Sequence, residues 1–341
     1  MNKILPVNEN CVVNCYHFES FPLAIISKYE EATPWINSNY IQLCMHKDFL
    51  TAPVPFKFYI FDYAIVPWLK TQRLDREIFP LMNRSIVEFV KDAIKLDYYV
   101  YLNVDEYFIP NRRSYKTQHF SHDLLVFGFE DSKNEFKILG YDHNFKYRTT
   151  EVSYSEFEKG FLNLDNIKNC CPQIYLYKFN KDVKYNFNIE VVIDFLEDYL
   201  FCVRTSKRYD SLAEPEDLVF GLECYDYLQL YLSTLLDSHN QADVRMFHKL
   251  LEHKLCMLNR IEFLQEKKYI DIKSDIYLKY KDITNQALIA KTLIIKYNMT
   301  KNFSCIEGAR ERLTYIKKYE KIIILELLKK IKKDKVYKEI N

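Results

Sequence analysis

The chain has 341 residues, 48% apolar and 28% charged, and its 48 basic and 47 acidic side chains leave a formal net charge of +1. It is long enough to bury one large core or two ordinary ones, and too evenly charged to imply a nucleic-acid partner. Only 5 glycines are present, with no Gly-rich phosphate loop, which excludes a P-loop or Rossmann fingerprint. No uncharged apolar run reaches the roughly 18 residues of a membrane span.

The opening MNKILPVNENC has no apolar core and no cleavage site, so no signal peptide is expected and the expected location is cytoplasmic, without a membrane partner. Nine cysteines, an odd number scattered through apolar runs, read as reduced, buried thiols. Cys11 with Cys15, or Cys170 with Cys171, finds no second pair at zinc-ligand spacing, so no metal and no other cofactor is expected.

Seven of the ten prolines and both tryptophans, Trp35 and Trp68, fall in the first 80 residues, a region of turns and short elements. Leu23 to Glu31 reads as a helix capped by Ser20, with Pro22 near its first turn. Tyr40 to Leu43 and Phe56 to Phe61 have strand length. Ile86, Phe89, Val90, Ala93 and Ile94 form one helical stripe over Ser85–Ile94, and Tyr98 to Val104 is rich in strand formers. Residues 123–129 and 135–140 make a hairpin over Asp131-Ser132-Lys133-Asn134. Ser153-x-x-Glu156 is a capping box for a short helix through Phe157 and Phe161. Ile174 to Phe179 is another strand, and Ile189 to Phe201 a helix. After Pro215 the spacing becomes helical over 216–237, 241–267, about 273–297 and about 309–335, which predicts a bundle. From Lys317 onward nine lysines face four acids, a solvated face or a docking surface for an acidic partner.

The stretch from His119 to Phe161 carries the chemistry. His122 opens one strand of the hairpin and Asp142 follows the other, the imidazole and carboxylate that a cysteine nucleophile needs as base and orienter. A three-residue turn would set His122 opposite Asp142; a four-residue turn would set it opposite His143. Cys15, just before an apolar helical segment, is the first candidate nucleophile and Cys11 the alternative; a helix N-terminus and an imidazolium favour the reactive thiolate. Asn10 or Asn14 could add an amide to an oxyanion hole. Asp105 and Glu106 read as a turn after a strand, with Arg112 and Arg113 on a solvated turn or meeting an anion. His119 and His122, three apart on a strand entry, point to opposite faces and lack a third metal ligand. His248 and His253, five apart on a helix, read as structural.

HDLLVFGFEDSKNEFKILGYDHNF followed by SYSEFEKGF resembles the histidine–aspartate half of bacteriocin-processing-type cysteine peptidase domains. Together with PWINSNYIQL and YVYLNVDEYFIP, the chain is more closely similar to the butirosin biosynthesis protein H-like family, associated with bacterial nonribosomal peptide clusters. The resemblance implies an α+β protein, with a papain-like N-terminal domain built on an antiparallel sheet over 1–170 and a mainly helical domain over 171–341. It implies a cysteine-dependent acyltransferase of secondary metabolism: an acyl group leaves a carrier-protein thioester, is held on cysteine and passes to a small-molecule amine. His122 matches the family histidine and Asp142 the aspartate. Where the peptidase helix often begins with Cys-Gly-Pro, this chain has Cys15-Tyr16-His17. A cysteine peptidase or thioesterase, and an inactive scaffold that binds a carrier protein, are the rival expectations.

Overall fold

The computed structural model describes residues 1–59, 66–169, 171–208 and 217–340, with side chains through 333. Cys170 and Pro215, and the expected element ends at Phe61 and residue 216, lie outside the described residues. In chain order the first elements are β1 (Asn2–Ile4), α1 (His17–Ile26), α2 (Thr33–Ser38), β2 (Leu43–His46), β3 (Phe56–Phe58), β4 (Leu69–Asp75), α3 (Ile86–Lys95), β5 (Tyr99–Asp105) and β6 (Ser121–Glu130). There follow β7 (Glu135–Tyr141), β8 (Tyr147–Ser153), α4 (Tyr154–Leu162), β9 (Gln173–Phe179), α5 (Ile189–Leu200), β10 (Leu218–Phe220), α6 (Cys224–Ser238), α7 (Val244–Glu266), α8 (Ile276–Thr300) and α9 (Ser304–Ile340).

The architecture is mixed α and β with antiparallel sheets. Two compact units are present, Met1–Thr33 with Asp62–Tyr185, and Pro34–Phe61 with Asn186–Asn341. A division into 1–170 and 171–341 was expected; the units are interleaved instead. Strand β9 hydrogen-bonds to β4 and β5 and so belongs with the first unit, whereas β2 and β3, from the proline-rich region, pair with β10.

In the first unit the sheet runs β4-β9-β5-β6-β7-β8, with β1 added beside β6. Every residue of β5 is buried. Phe21 of α1 packs edge-on against Tyr101, while Gly160 of α4 approaches Val104. Residues three apart on a strand point to opposite faces, so α1 and α4 cover the two sides of β5. The Ser153–Glu156 cap forms, Ser153 Oγ accepting from the Glu156 N–H (3.3 Å), and Ser85 Oγ caps α3 in the same way through the Glu88 N–H (3.2 Å).

Two local features depart from the sequence reading. Helix α1 starts at His17, six residues before Leu23, with no side-chain cap and with Pro22 inside it. Its first turn is closed by Glu19 and Ser20 N–H groups on Tyr16 O. The hairpin turn has four residues, pairing Glu130 with Glu135, which alone would carry His122 to His143. A register shift between Val126 and Gly128 absorbs one residue, and Leu125 then pairs with Leu139. Continued to the strand ends, that register brings His122 level with Asp142.

The second unit packs α5–α9 with the small sheet β10-β2-β3. Its interior holds a polar network that an amphipathic pattern does not reveal. Lys254 Nζ lies 2.7 Å from Glu320 Oε1, both side chains fully buried. Tyr225 and Tyr199 hydroxyls donate to Glu320 Oε2 at 2.7 and 2.9 Å, and Tyr280 donates to Oε1. His253 Nε2 bonds Ile41 O at 2.8 Å and its Nδ1 lies 2.9 Å from Lys254 Nζ. The ring is therefore a neutral tautomer, donating from Nε2 and accepting at Nδ1. Arg260 reaches Asn37 O at 2.8 Å, so α7 supplies donors to the backbone of 37–41.

Breaking one member of a buried ion pair strands the other. Glu320→Gln is expected to cost about 3–5 kcal/mol in denaturant unfolding, and Lys254→Met combined with Glu320→Leu to recover part of that loss.

Acid should weaken this unit in two stages. Burial, then the Lys254 charge, push the His253 pKa well below its ordinary value. The unfolded chain takes up that proton first, so stability falls as pH drops below about 6.5, by about 1.4 kcal/mol per pH unit. Burial opposes ionisation of Glu252, but the charge of Lys249 and the His248 hydrogen bond outweigh it and hold its pKa at about 2. Its contribution is complete above the unfolded pKa of about 4.3 and is lost as pH falls toward the folded value. Unfolding followed by circular dichroism from pH 8 to 3 checks both; a flat profile between 7 and 5 would refute the His253 assignment.

Candidate functional site

The first turn of α1 meets the beginning of β6. His17 Nδ1 lies 2.7 Å from Asp123 Oδ1, and Tyr101 OH donates to Asp123 Oδ2 at 2.9 Å. Beside this pair, the His122 ring stands edge-on to His17, with centroids 5.2 Å apart. His122 Nδ1 is 3.4 Å from both Glu106 Oε1 and Asp123 Oδ1. Tyr141 stacks on His17 at 5.5 Å, and its hydroxyl donates to Asn14 O at 2.8 Å. The segment 14–17 is thus tied to the sheet at both ends.

Burial differs sharply between the imidazoles. The His17 side chain is 4% exposed and that of His122 36%. Burial lowers the His17 pKa against the opposing pull of Asp123, so the ring is neutral and donates from Nδ1. Burial works against the Asp123 charge, but His17, then His122 and the Tyr101 hydroxyl, overcome it and hold the carboxyl well below its usual range.

Arg112, expected on a solvated turn or meeting an anion, is buried. It donates from Nη1 to Tyr141 O, and it lies near enough to feel the charges of Glu106, Asp123 and Asp142. Its room comes from Gly140, where an added Cβ would stand 3.0 Å from Arg112 Nη2. Arg113 instead lies over the Phe145 ring at 5.0 Å.

The sequence-derived candidates sit as follows. His122 is in the cluster. Asp142, expected to orient it, is held in its own turn: Oδ1 accepts the Asn144 and Lys146 N–H groups at 2.8 and 2.9 Å, and Oδ2 pairs with Arg148 Nε at 2.8 Å. The residue lies past the strand end, where its short side chain folds back on its own backbone. Cys15 is partly exposed, two residues before His17, so their Cα atoms are at most about 7 Å apart. Cys11 is buried, with Sγ 3.1 Å from Val13 O. Asn14 Nδ2 donates to Cys11 O at 3.1 Å, and the Asn10 N–H to Asn8 Oδ1 at 3.1 Å. His119 pairs with Asp105 (2.6 Å), which also accepts from Asn163 and the Phe120 and Tyr107 N–H groups. His119 and His122 therefore serve different acids.

His17, Asp123 and Glu106 were not among the sequence candidates for the site. One signal pointed to Asp123: a carboxylate directly after a histidine at the head of an apolar strand. No protein-family model and no curated protein matches the chain. None of its described helices is long and apolar enough to cross a membrane.

Gly140→Ala is expected to displace the buried guanidinium and cost about 1–3 kcal/mol. In an Arg112→Ala background the clash is removed and only the backbone strain at φ 156° remains, so the same change should cost less. Equal costs in the two backgrounds, measured by thermal unfolding, would show that the glycine does not serve Arg112.

Proposed function

We propose that the first unit is a papain-like thiol acyltransferase, with Cys15 as nucleophile and His122 as base. Glu106 and Asp123 take the orienting position first assigned to Asp142. The observation that carries this reading is the partly exposed His122 imidazole, whose Nδ1 faces two carboxylates beside the helix start that Cys15 precedes. An imidazole held by carboxylates on Nδ1 presents Nε2 to a reactant.

In the forward half-reaction His122 takes the Cys15 proton and Sγ attacks the carbonyl carbon of a carrier-bound thioester. A new S–C bond forms, the old one breaks, and the carrier thiolate leaves with the proton from His122. In the second half an amine nitrogen attacks the acyl-cysteine, gives a proton to His122, and the Cys15 thiol is restored. The carrier would present acidic residues to the lysines of α9. Two of these lysines, Lys317 and Lys332, are already paired with Asp226 and Glu197.

A second reading, a scaffold that binds a carrier or peptide without reaction, is favoured by a different observation. The buried His17 imidazole already fills the place beside Asp123 and His122 at the start of α1.

Incubation with an acyl-carrier thioester should give a single acyl adduct by intact mass, absent in Cys15→Ala and formed about 10²–10⁴-fold more slowly in His122→Ala. An adduct that survives in Cys15→Ala overturns the nucleophile. No adduct in the wild type favours the scaffold. Loss of the acyl group at one rate with and without amine makes the protein a hydrolase.

A further inference from the structure

We propose that His17, His122 and Asp123, with Glu106 beside them, bind one divalent transition-metal ion. Each of the first three offers one ligand atom, and these atoms all lie within 4.8 Å of one another. The two 3.4 Å separations around His122 Nδ1 are too long for good hydrogen bonds. They match the spacing of neighbouring ligands around a four-coordinate ion, about 3.3 Å for bonds of about 2.0–2.1 Å. Two imidazoles and a carboxylate are a common donor set for such ions, with remaining positions left to water or to another carboxylate.

The His17 ring supplies a second, independent observation. Its Nε2 is buried and has no hydrogen-bond partner. Asp123 holds the proton on Nδ1 when no ion is bound, and an ion that displaces this bond moves the proton to the unoccupied Nε2 and frees the Nδ1 lone pair. The charges agree. Glu106 and Asp123 bring two negative charges and Arg112 one positive, a local excess that a dication reverses.

An ion here takes the His122 lone pair. On the acyl-transfer reading, which this consequence alone depends on, a loaded site has lost its base and zinc inhibits the enzyme. Binding itself does not depend on that reading.

The full chain, stripped with chelator, is titrated with Zn²⁺ by calorimetry and with Co²⁺ by visible absorption. One ion per chain is expected, with a cobalt spectrum of nitrogen and oxygen ligands. His122→Ala, at a half-exposed position, and the near-isosteric Asp123→Asn should each weaken binding at least tenfold while circular dichroism shows the fold intact. Wild-type affinity in both variants, no binding by the wild type, or a cobalt–thiolate charge-transfer band would each overturn the site. Zinc binding that follows the expected pattern in a protein that forms no acyl adduct under chelation would keep the metal site and remove the acyltransferase.

Discussion

The hydrogen bond from His17 to Asp123 is the constraint on which the site depends. It joins the first turn of a helix that has no side-chain cap to the head of β6. Because His122 and Asp123 are consecutive, the same bond also sets how far the His122 ring lies from the helix start. Two side chains that are 106 residues apart in sequence fix where the segment 14–17 can run. Tyr141, which stacks on His17 and donates to Asn14, holds that segment from the other side. A loop closed so far along the chain costs entropy, and here a charge-assisted bond in a buried setting offsets it.

Much of the first unit was legible because its signals are local. The hairpin, the Ser153–Glu156 box and the Ser85 helix each rest on a few neighbouring residues, and each formed as its chemistry required. What failed was non-local. The start of α1 is set by tertiary contacts of His17, and a capping argument built on Ser20 could not find it. The register shift near Phe127 has no local signature. It lets a four-residue turn lead into a Leu125–Leu139 register, whose continuation past the paired residues aligns His122 with Asp142. Having reached that register, the chain still used Asp142 for its turn. Proximity in a ladder does not assign a carboxylate when backbone N–H groups compete for it.

The second unit shows the same limit in a different form. Helical spacing found four helices after Pro215, although the first, expected over 216–237, begins only at Cys224 behind the strand Leu218–Phe220. The reading of the tail as a solvated face missed Glu320; His253 is structural, as read. Lys254, His253 and Glu320 are fully buried, and three tyrosine hydroxyls complete the set. A periodic pattern reports where apolar residues recur, and it is blind to polar groups that satisfy one another inside a core. Nor could it find that Pro34–Phe61 belongs with these helices. That association rests on strand pairing with β10 and on carbonyls that accept from α7, contacts made across about 200 residues of sequence.

The two imidazoles of the site divide the work by exposure. His17 is sealed between Phe21 and Tyr141, its Nδ1 committed to Asp123. With the ring this deeply buried, His17 is suited to hold a position or an ion, not to turn over. His122 has a third of its side chain in solvent and two carboxylates near one nitrogen. Its other nitrogen can exchange protons with a reactant. That asymmetry decides which ring could serve as a base, whatever the nucleophile proves to be. It also explains why a cation would be felt chemically through His122: the buried ring only anchors the ion, while the exposed one loses its lone pair.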